Sequence, residues 1–200
     1  MNNYIYIISS LPALSQDWKG ADGFSAQDII DEIKERLSAK DNEKIDFFLK
    51  GFEDEALNKE YYEKAAEQKS QFVKDFYKFD MNVRNVKARY LNAAFDRPAD
   101  QDVIVLEGQD QSFEEEDKVK AVLENKDILA REKGLDDIMW NKIYELTLFH
   151  YLDMDVIYSF LAKLHIIDRW LKLDEQTGRE MFRKLVGEVR GTFKGVEYSE

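Results

Sequence analysis

The sequence predicts a mainly α-helical protein, elongated and built from one or two lobes around a long seam helix. Three observations carry that expectation. Apolar residues recur in steps of three and four at Ile29, Ile30, Ile33 and Leu37, and again at Val156, Ile157, Phe160, Leu161, Leu164, Ile167 and Leu171. Residues 58–95 contain neither glycine nor proline and repeat Phe72, Phe76, Phe79, Val83, Val86 and Tyr90 in alternating steps. The run from Leu135 to Tyr151 is apolar almost all round. A chain of 200 residues with 44% apolar side chains is long enough for a substantial core, burying roughly 70% of the surface that its unfolded form exposes.

Taken in order, Tyr4 to Ile8 is a β-branched and aromatic run, open between a short strand and a buried helical turn. Gly20 to Gly23 reads as a loop. Ser25 offers an N-cap to a helix over residues 26–38, with Asp28 three residues on. Asp41 is expected to cap a second helix that buries Ile45, Phe48 and Leu49. The seam helix over 58–95 would extend ~50 Å at 1.5 Å per residue. From Pro98 to Asp117 helical periodicity is lost, and Glu114-Glu-Glu-Asp117 forms an acidic run. Beyond Gly134, Leu135–Tyr151 is expected to be a central buried helix, and Asp153 or Asp155 caps the next one. Asp174 is expected to cap a last helix ending near Arg190 and Gly191, with a loose tail from Thr192. The organisation expected is an N-terminal helical lobe over 1–97, an acidic connecting segment over 98–134 and a helical part over 135–200, or all three as one continuous domain.

Composition excludes much chemistry. No cysteine means no disulfide framework, thiol catalysis or iron–sulfur ligation. A formal charge of −12 opposes non-specific binding to nucleic acid or anionic membrane. Phosphate-binding glycine loops are absent, and Ser9, Ser10 and Ser159 lack a nucleophile-elbow context. A helical di-iron site needs a ligand three residues before each histidine, but Thr147 and Ala162 stand there. Glu145 and His150, five apart, face about 140° away from each other on a helix. His150–Asp153 and His165–Asp168 are spaced to share a helix face, as surface pairs or as an acid–base or metal pair. No catalytic residue, metal or cofactor is expected. The Tyr4–Ile8 run lacks a basic leader and Pro12 interrupts it, and no stretch approaches the ~18 apolar residues of a membrane span. The expectation is therefore a cytoplasmic chain that reaches a membrane only through partners.

Charge is unevenly distributed. Residues 101–137 hold twelve acids and five bases, whereas 74–97 and 163–194 each carry a net +3. The two basic stretches also match: Lys78, Arg84 and Lys87 fall on Lys163, Arg169 and Lys172 at an offset of 85 residues. That is a weak sign of internal duplication, which suits a scaffold.

The segment Phe76-Tyr-Lys-Phe-Asp80-Met-Asn-Val-Arg84-Asn85-Val-Lys87 resembles the Asp…Asn-Ile-Lys/Arg segment of the C-type socket subunit (d-type in eukaryotes) of V/A-type ATPases. Val156-Ile-Tyr-Ser-Phe-Leu-Ala-Lys-Leu-His-Ile-Ile-Asp-Arg169 is similar to a later helix of that family, in which Tyr-Leu-x-x-Lys precedes Asn-x-Arg. The opening Tyr4-Ile-Tyr-Ile-Ile-Ser-Ser-Leu-Pro12 resembles that of a bacterial family encoded beside such ATPases. Asp168 stands where Asn precedes the arginine, Asp80 lies further from Asn85 than the family spacing, and 200 residues accommodate two lobes rather than three. The resemblance implies a non-catalytic, socket-like coupling subunit between the central stalk and the membrane ring of a V/A-type ATP synthase. It also implies contact or structural roles for Asp80, Asn82, Arg84, Asn85, Lys87, Asp168 and Arg169. Arg84 is placed to pair with Asp80 four residues earlier. Two other readings stand beside it: a helical adaptor docking through the acidic run at 110–117, and a helical enzyme with a carboxylate metal site.

Overall fold

The computed structural model describes residues 4–16, 24–108 and 112–172. The loop expected at Gly20–Gly23, the helix expected from Asp174 and the tail lie outside them. The described residues form eight α-helices and no strand, so the mainly α class holds. The helices are α1 (Tyr4–Ser10), α2 (Ala26–Glu35), α3 (Ala39–Lys50), α4 (Lys59–Ala66), α5 (Gln71–Ala94), α6 (Glu116–Leu123), α7 (Ile128–Thr147) and α8 (Met154–Lys172). A short 3-10 turn, Asp54–Ala56, follows α3.

The alternative left open at Tyr4–Ile8 resolves to helix. A strand would put Ile5 and Ile7 on one face, but Ile7 is fully buried while Ile5 is 59% exposed. Tyr4, Ile7, Ile8 and Leu11 instead form one helical stripe against the core. Ser25 caps α2 as expected, its hydroxyl accepting the Asp28 N–H at 3.2 Å. The second cap is Ser38 rather than Asp41: Ser38 accepts the Asp41 N–H at 3.2 Å and donates to Asp41 Oδ2 at 2.8 Å. Asp41 is buried, yet hydrogen bonds from Lys44 and Ser38 outweigh that desolvation and hold its pKa below the usual carboxylate value.

The single seam helix expected over 58–95 is two helices. Glu67 closes α4, and the Ser70 hydroxyl accepts the Val73 N–H at 3.1 Å to start α5 afresh. With 24 residues, α5 is about 36 Å long. Its first half, with Phe72, Val73, Phe76 and Tyr77, enters the larger core. There Phe48 is ringed by Phe52, Phe72, Phe76, Tyr77 and Tyr158 at centroid distances of 4.9–6.1 Å. Ile7 from the start of the chain and Ile157, Leu161 and Leu164 from α8 close the same core. The second half of α5 contributes Phe79, Val83 and Val86 to a smaller core with Val119 and Leu123 of α6 and Leu135 of α7; Met139 touches both cores.

The segment after α5 is irregular but pinned. Asn92 donates to the Ala99 and Gln101 carbonyls at 3.2 and 2.7 Å. Asn85 donates to the Ile104 carbonyl at 2.7 Å and accepts its N–H at 2.9 Å. Leu106 is thereby held in the larger core.

The reading of residues 135–151 as a central buried helix is corrected. The helix starts at Asp127, whose carboxylate caps it, and runs through Gly134, where a Cβ would stand 2.7 Å from Val122 of α6. Within α7 only Leu135, Asp136 and Ile143 are buried. Ile138, Met139 and Leu146 are half-buried against the two cores, Tyr144 faces outward, and the exposed apolar residues continue past the helix at Leu148, Phe149, Tyr151 and Leu152. The central helices are α5 and α8, which carry ten and eight buried residues. Among the described residues no helix is long and apolar enough to cross a membrane.

Candidate functional site

Helices α5 and α8 run parallel and in register. At their N-termini the Ser70 hydroxyl donates to Asp155 Oδ1 at 2.8 Å, and one turn on Phe72 stacks with Tyr158 at 6.2 Å. The paired residues Ser70 and Asp155 are 85 apart, the same offset that superimposes the basic stretches in the sequence. Fourteen residues further along each helix, Arg84 and Arg169 reach the walls of one cleft of about 290 Å3. Asp54, Asp80, Asp136, His165 and Gly51 also line it.

On the α5 side, Asp80 is largely buried and accepts the Tyr62 hydroxyl at 2.7 Å and Arg84 Nε at 3.0 Å. Burial raises its pKa, partly offset by the Arg84 charge and these two hydrogen bonds. A second guanidinium arm of Arg84 lies 3.3 Å from Asp54, in the turn after α3. On the α8 side, Asp136 of α7 accepts from Arg169 and, at 2.6 Å, from the Trp170 indole. Its pKa is likewise raised by burial against the Arg169 charge. His165 stacks on Phe52 at 4.3 Å with ring planes 8° apart. Burial and then the neighbouring Arg169 push its pKa down to about 4, so the imidazole is neutral at pH 7.

The floor of the cleft explains one glycine. Tyr61 donates to the Phe47 carbonyl at 2.8 Å and Tyr77 donates to the Phe48 carbonyl, satisfying the last turn of α3. A Cβ at Gly51 would collide with both phenol oxygens. Burial holds the phenol of Tyr61 up at about 12 and raises that of Tyr77 as well.

Of the residues singled out in the sequence, Asp80, Arg84 and Arg169 therefore meet in this cleft, and the expected Arg84–Asp80 pair is formed. The other four are elsewhere. Asn82 borders a groove with Phe113, Glu115 and Lys142. Asn85 is the buried clamp on Ile104. Lys87 pairs across to Glu132 of α7 at 3.2 Å, and Glu132 also lies 3.8 Å from Arg169. Asp168 takes Lys172 at 2.6 Å and makes no hydrogen bond to His165, so the second His–Asp pair is not formed. The first is: His150 Nδ1 is 2.6 Å from Asp153 Oδ2, and that hydrogen bond raises the imidazole pKa. Asp153 also caps α8 through the Asp155 and Val156 N–H groups.

Tyr62, Asp54, Asp136, Glu132 and Trp170 complete the cleft and its ion pairs, and none was marked by a local motif. The two more buried cleft carboxylates, Asp80 and Asp136, each take a second donor besides their arginine. The arrangement locks α4, α5 and the turn after α3 on one side to α7 and α8 on the other. No group of three or more His, Cys, Asp and Glu able to hold a metal gathers among the described residues.

Among the described residues, fold and cleft together define a helical protein whose two central, parallel helices are tied to their neighbours by half-exposed ion pairs. The chain belongs to the family described as "Protein of unknown function (DUF2764)", whose model matches residues 1–59 and 52–192. No curated protein and no solved structure matches it significantly.

Proposed function

We propose that the chain is a non-catalytic coupling subunit of a V/A-type ATP synthase, held at the inner membrane by its partners and joining the central stalk to the membrane ring during ion transport. The observation that carries this reading is the placement of the two segments that resemble the C-type socket family. They are α5 and α8, the central helices, aligned side by side with their paired arginines converging on one cleft. A part that transmits torque needs elements that do not shear past one another. Lys87–Glu132, Arg169–Glu132 and Arg169–Asp136 brace α5 and α8 through α7, and two cores grip opposite halves of α5. The cleft carboxylates act as anchors for these braces rather than as acid or base.

The test is affinity purification of the tagged chain from its own cells under mild detergent. Co-purification of the catalytic and membrane-ring subunits, together with loss of ATP-driven ion pumping on deletion, is the expected result. Normal pumping and complex assembly in the deletion strain would overturn the reading. A general helical adaptor is the second reading, favoured by the acidic run and the exposed aromatic corner after α7.

A further inference from the structure

We infer that the pocket between α4 and the first half of α5 binds a small monocarboxylic acid, its apolar body on the pocket floor and its carboxylate between Lys74 and Lys78. The pocket has a volume of about 180 Å3. Ala66 of α4, Met81 of α5 and Leu106 of the pinned segment line its apolar side, and Lys74, Asp75 and Lys78 of α5 line its polar side.

The lysines point to an anion. Both are half-buried, yet neither makes a hydrogen bond, ion pair or ring contact among the described residues. Carboxylates are not scarce, with 41 acidic residues in the chain against 29 basic ones. Asp75 lies between the two lysines in sequence but takes the Gln71 amide at 2.9 Å. Glu114 and Glu115 border a second groove that Lys78 also lines, but Glu115 takes Lys142 at 3.4 Å and neither pairs with Lys78. The internal repeat sharpens the contrast. Its offset of 85 residues aligns Lys78, Arg84 and Lys87 with Lys163, Arg169 and Lys172. Arg84, Lys87, Arg169 and Lys172 hold carboxylates, and Lys163 lies over the Trp140 ring at 5.4 Å. Lys78 alone of the six has no partner among the described residues. Lys74, one turn before it, sets a like charge on the same helix face, which is destabilising until an anion lies between them.

Charge and shape choose the anion. Two ammonium groups against the Asp75 carboxylate leave the polar side at +1. A monocarboxylate balances that charge, whereas a phosphate ester brings a second negative charge beside Asp75. The apolar floor suits an acid with a short hydrocarbon body rather than a bare ion.

The site does not rest on the coupling reading, and its test involves no partner protein. The probe is sodium hexanoate, titrated into the isotope-labelled full chain while amide NMR spectra are recorded at constant ionic strength. Shifts concentrated at residues 66, 74–78 and 106 are expected, with a Kd on the order of a millimolar for so small a ligand. Hexylammonium has the same body and the opposite charge, and should leave those amides unmoved. Acetate, which lacks the body, and hexyl phosphate should both bind more weakly than hexanoate. Lys74→Met with Lys78→Met removes charges that hold nothing else in the fold, and weakens hexanoate binding about tenfold or more. Ala66→Leu fills the floor while keeping both lysines, and abolishes binding. Circular dichroism checks that each variant folds, and the comparison of the four probes on the wild type decides the matter if one does not. Hexylammonium shifts equal to those of hexanoate, or unchanged affinity in either folded variant, would overturn the assignment. So would acetate binding as tightly as hexanoate, or hexyl phosphate binding more tightly.

Discussion

His165 should make folding acid-sensitive in a window set by its own ring. In the unfolded chain the imidazole titrates near 6.5, whereas in the fold burial against Phe52 and the Arg169 charge bring it to about 4. Asp168 and Asp54 pull the other way and Lys172 adds to Arg169, all included in that direction. Between these values the unfolded state binds the extra proton, so stability rises with pH through the window and is lost as pH falls from 6.5 towards 4. A shift of this size contributes about 2 kcal/mol between pH 7.5 and 5, approaching about 3 kcal/mol near pH 4. For a chain of this length the first figure lowers Tm by about 4–8 °C. Carboxylates titrate in the same range, so the measurement is a difference. Urea unfolding of the wild type is compared with His165→Phe, which keeps a ring on Phe52 but cannot take a proton. The two stability curves should converge as pH falls if the variant starts less stable, and diverge if it does not. Curves that stay parallel to within about 0.5 kcal/mol from pH 7.5 to 5 would refute the reasoning, as would an NMR titration placing His165 above 6.

Gly51→Ala forces a methyl into the Tyr61 and Tyr77 hydroxyls; a loss of about 2–4 kcal/mol is expected in thermal denaturation. Phe48→Ala empties the centre of the larger core, at a cost of about 3–5 kcal/mol by urea midpoint. Tyr62→Phe and Asp80→Ala remove the two ends of one buried hydrogen bond, so a double-mutant cycle should show coupling of about 0.5–3 kcal/mol rather than additivity. Asn85→Ala frees the Ile104 backbone, and amide exchange at residues 103–106 should speed up well before the helices of the core open.

Local chemistry was legible because its partners are close in sequence. Ser25 with Asp28, Asp153 before α8 and Arg84 with Asp80 all act within four residues, and each does what its spacing implies. The break between α4 and α5 was not, since Ser70 looks like any polar residue until its bonds to Val73 and Asp155 are seen. Apolar density misled at residues 135–151, because periodicity reports which residues are apolar, not whether another element covers them. The cleft escaped for a different reason. Tyr62 is 18 residues from Asp80, Asp136 is 33 from Arg169, and Phe52 stacks on a histidine more than a hundred residues away. Those neighbours arise only when α4 docks on α5, α7 on α8, and the turn after α3 on α8.

That docking has a consequence for synthesis. Ile7 leaves the ribosome well before Ile157, Leu161 and Leu164 of α8, with which it shares a core. Until α8 emerges, Phe48, Phe72 and Phe76 have no helix of that kind to close over them, and such surface is prone to stick to other chains. A nascent chain therefore carries this core uncovered until α8 has been made, the interval in which a ribosome-associated chaperone would matter most.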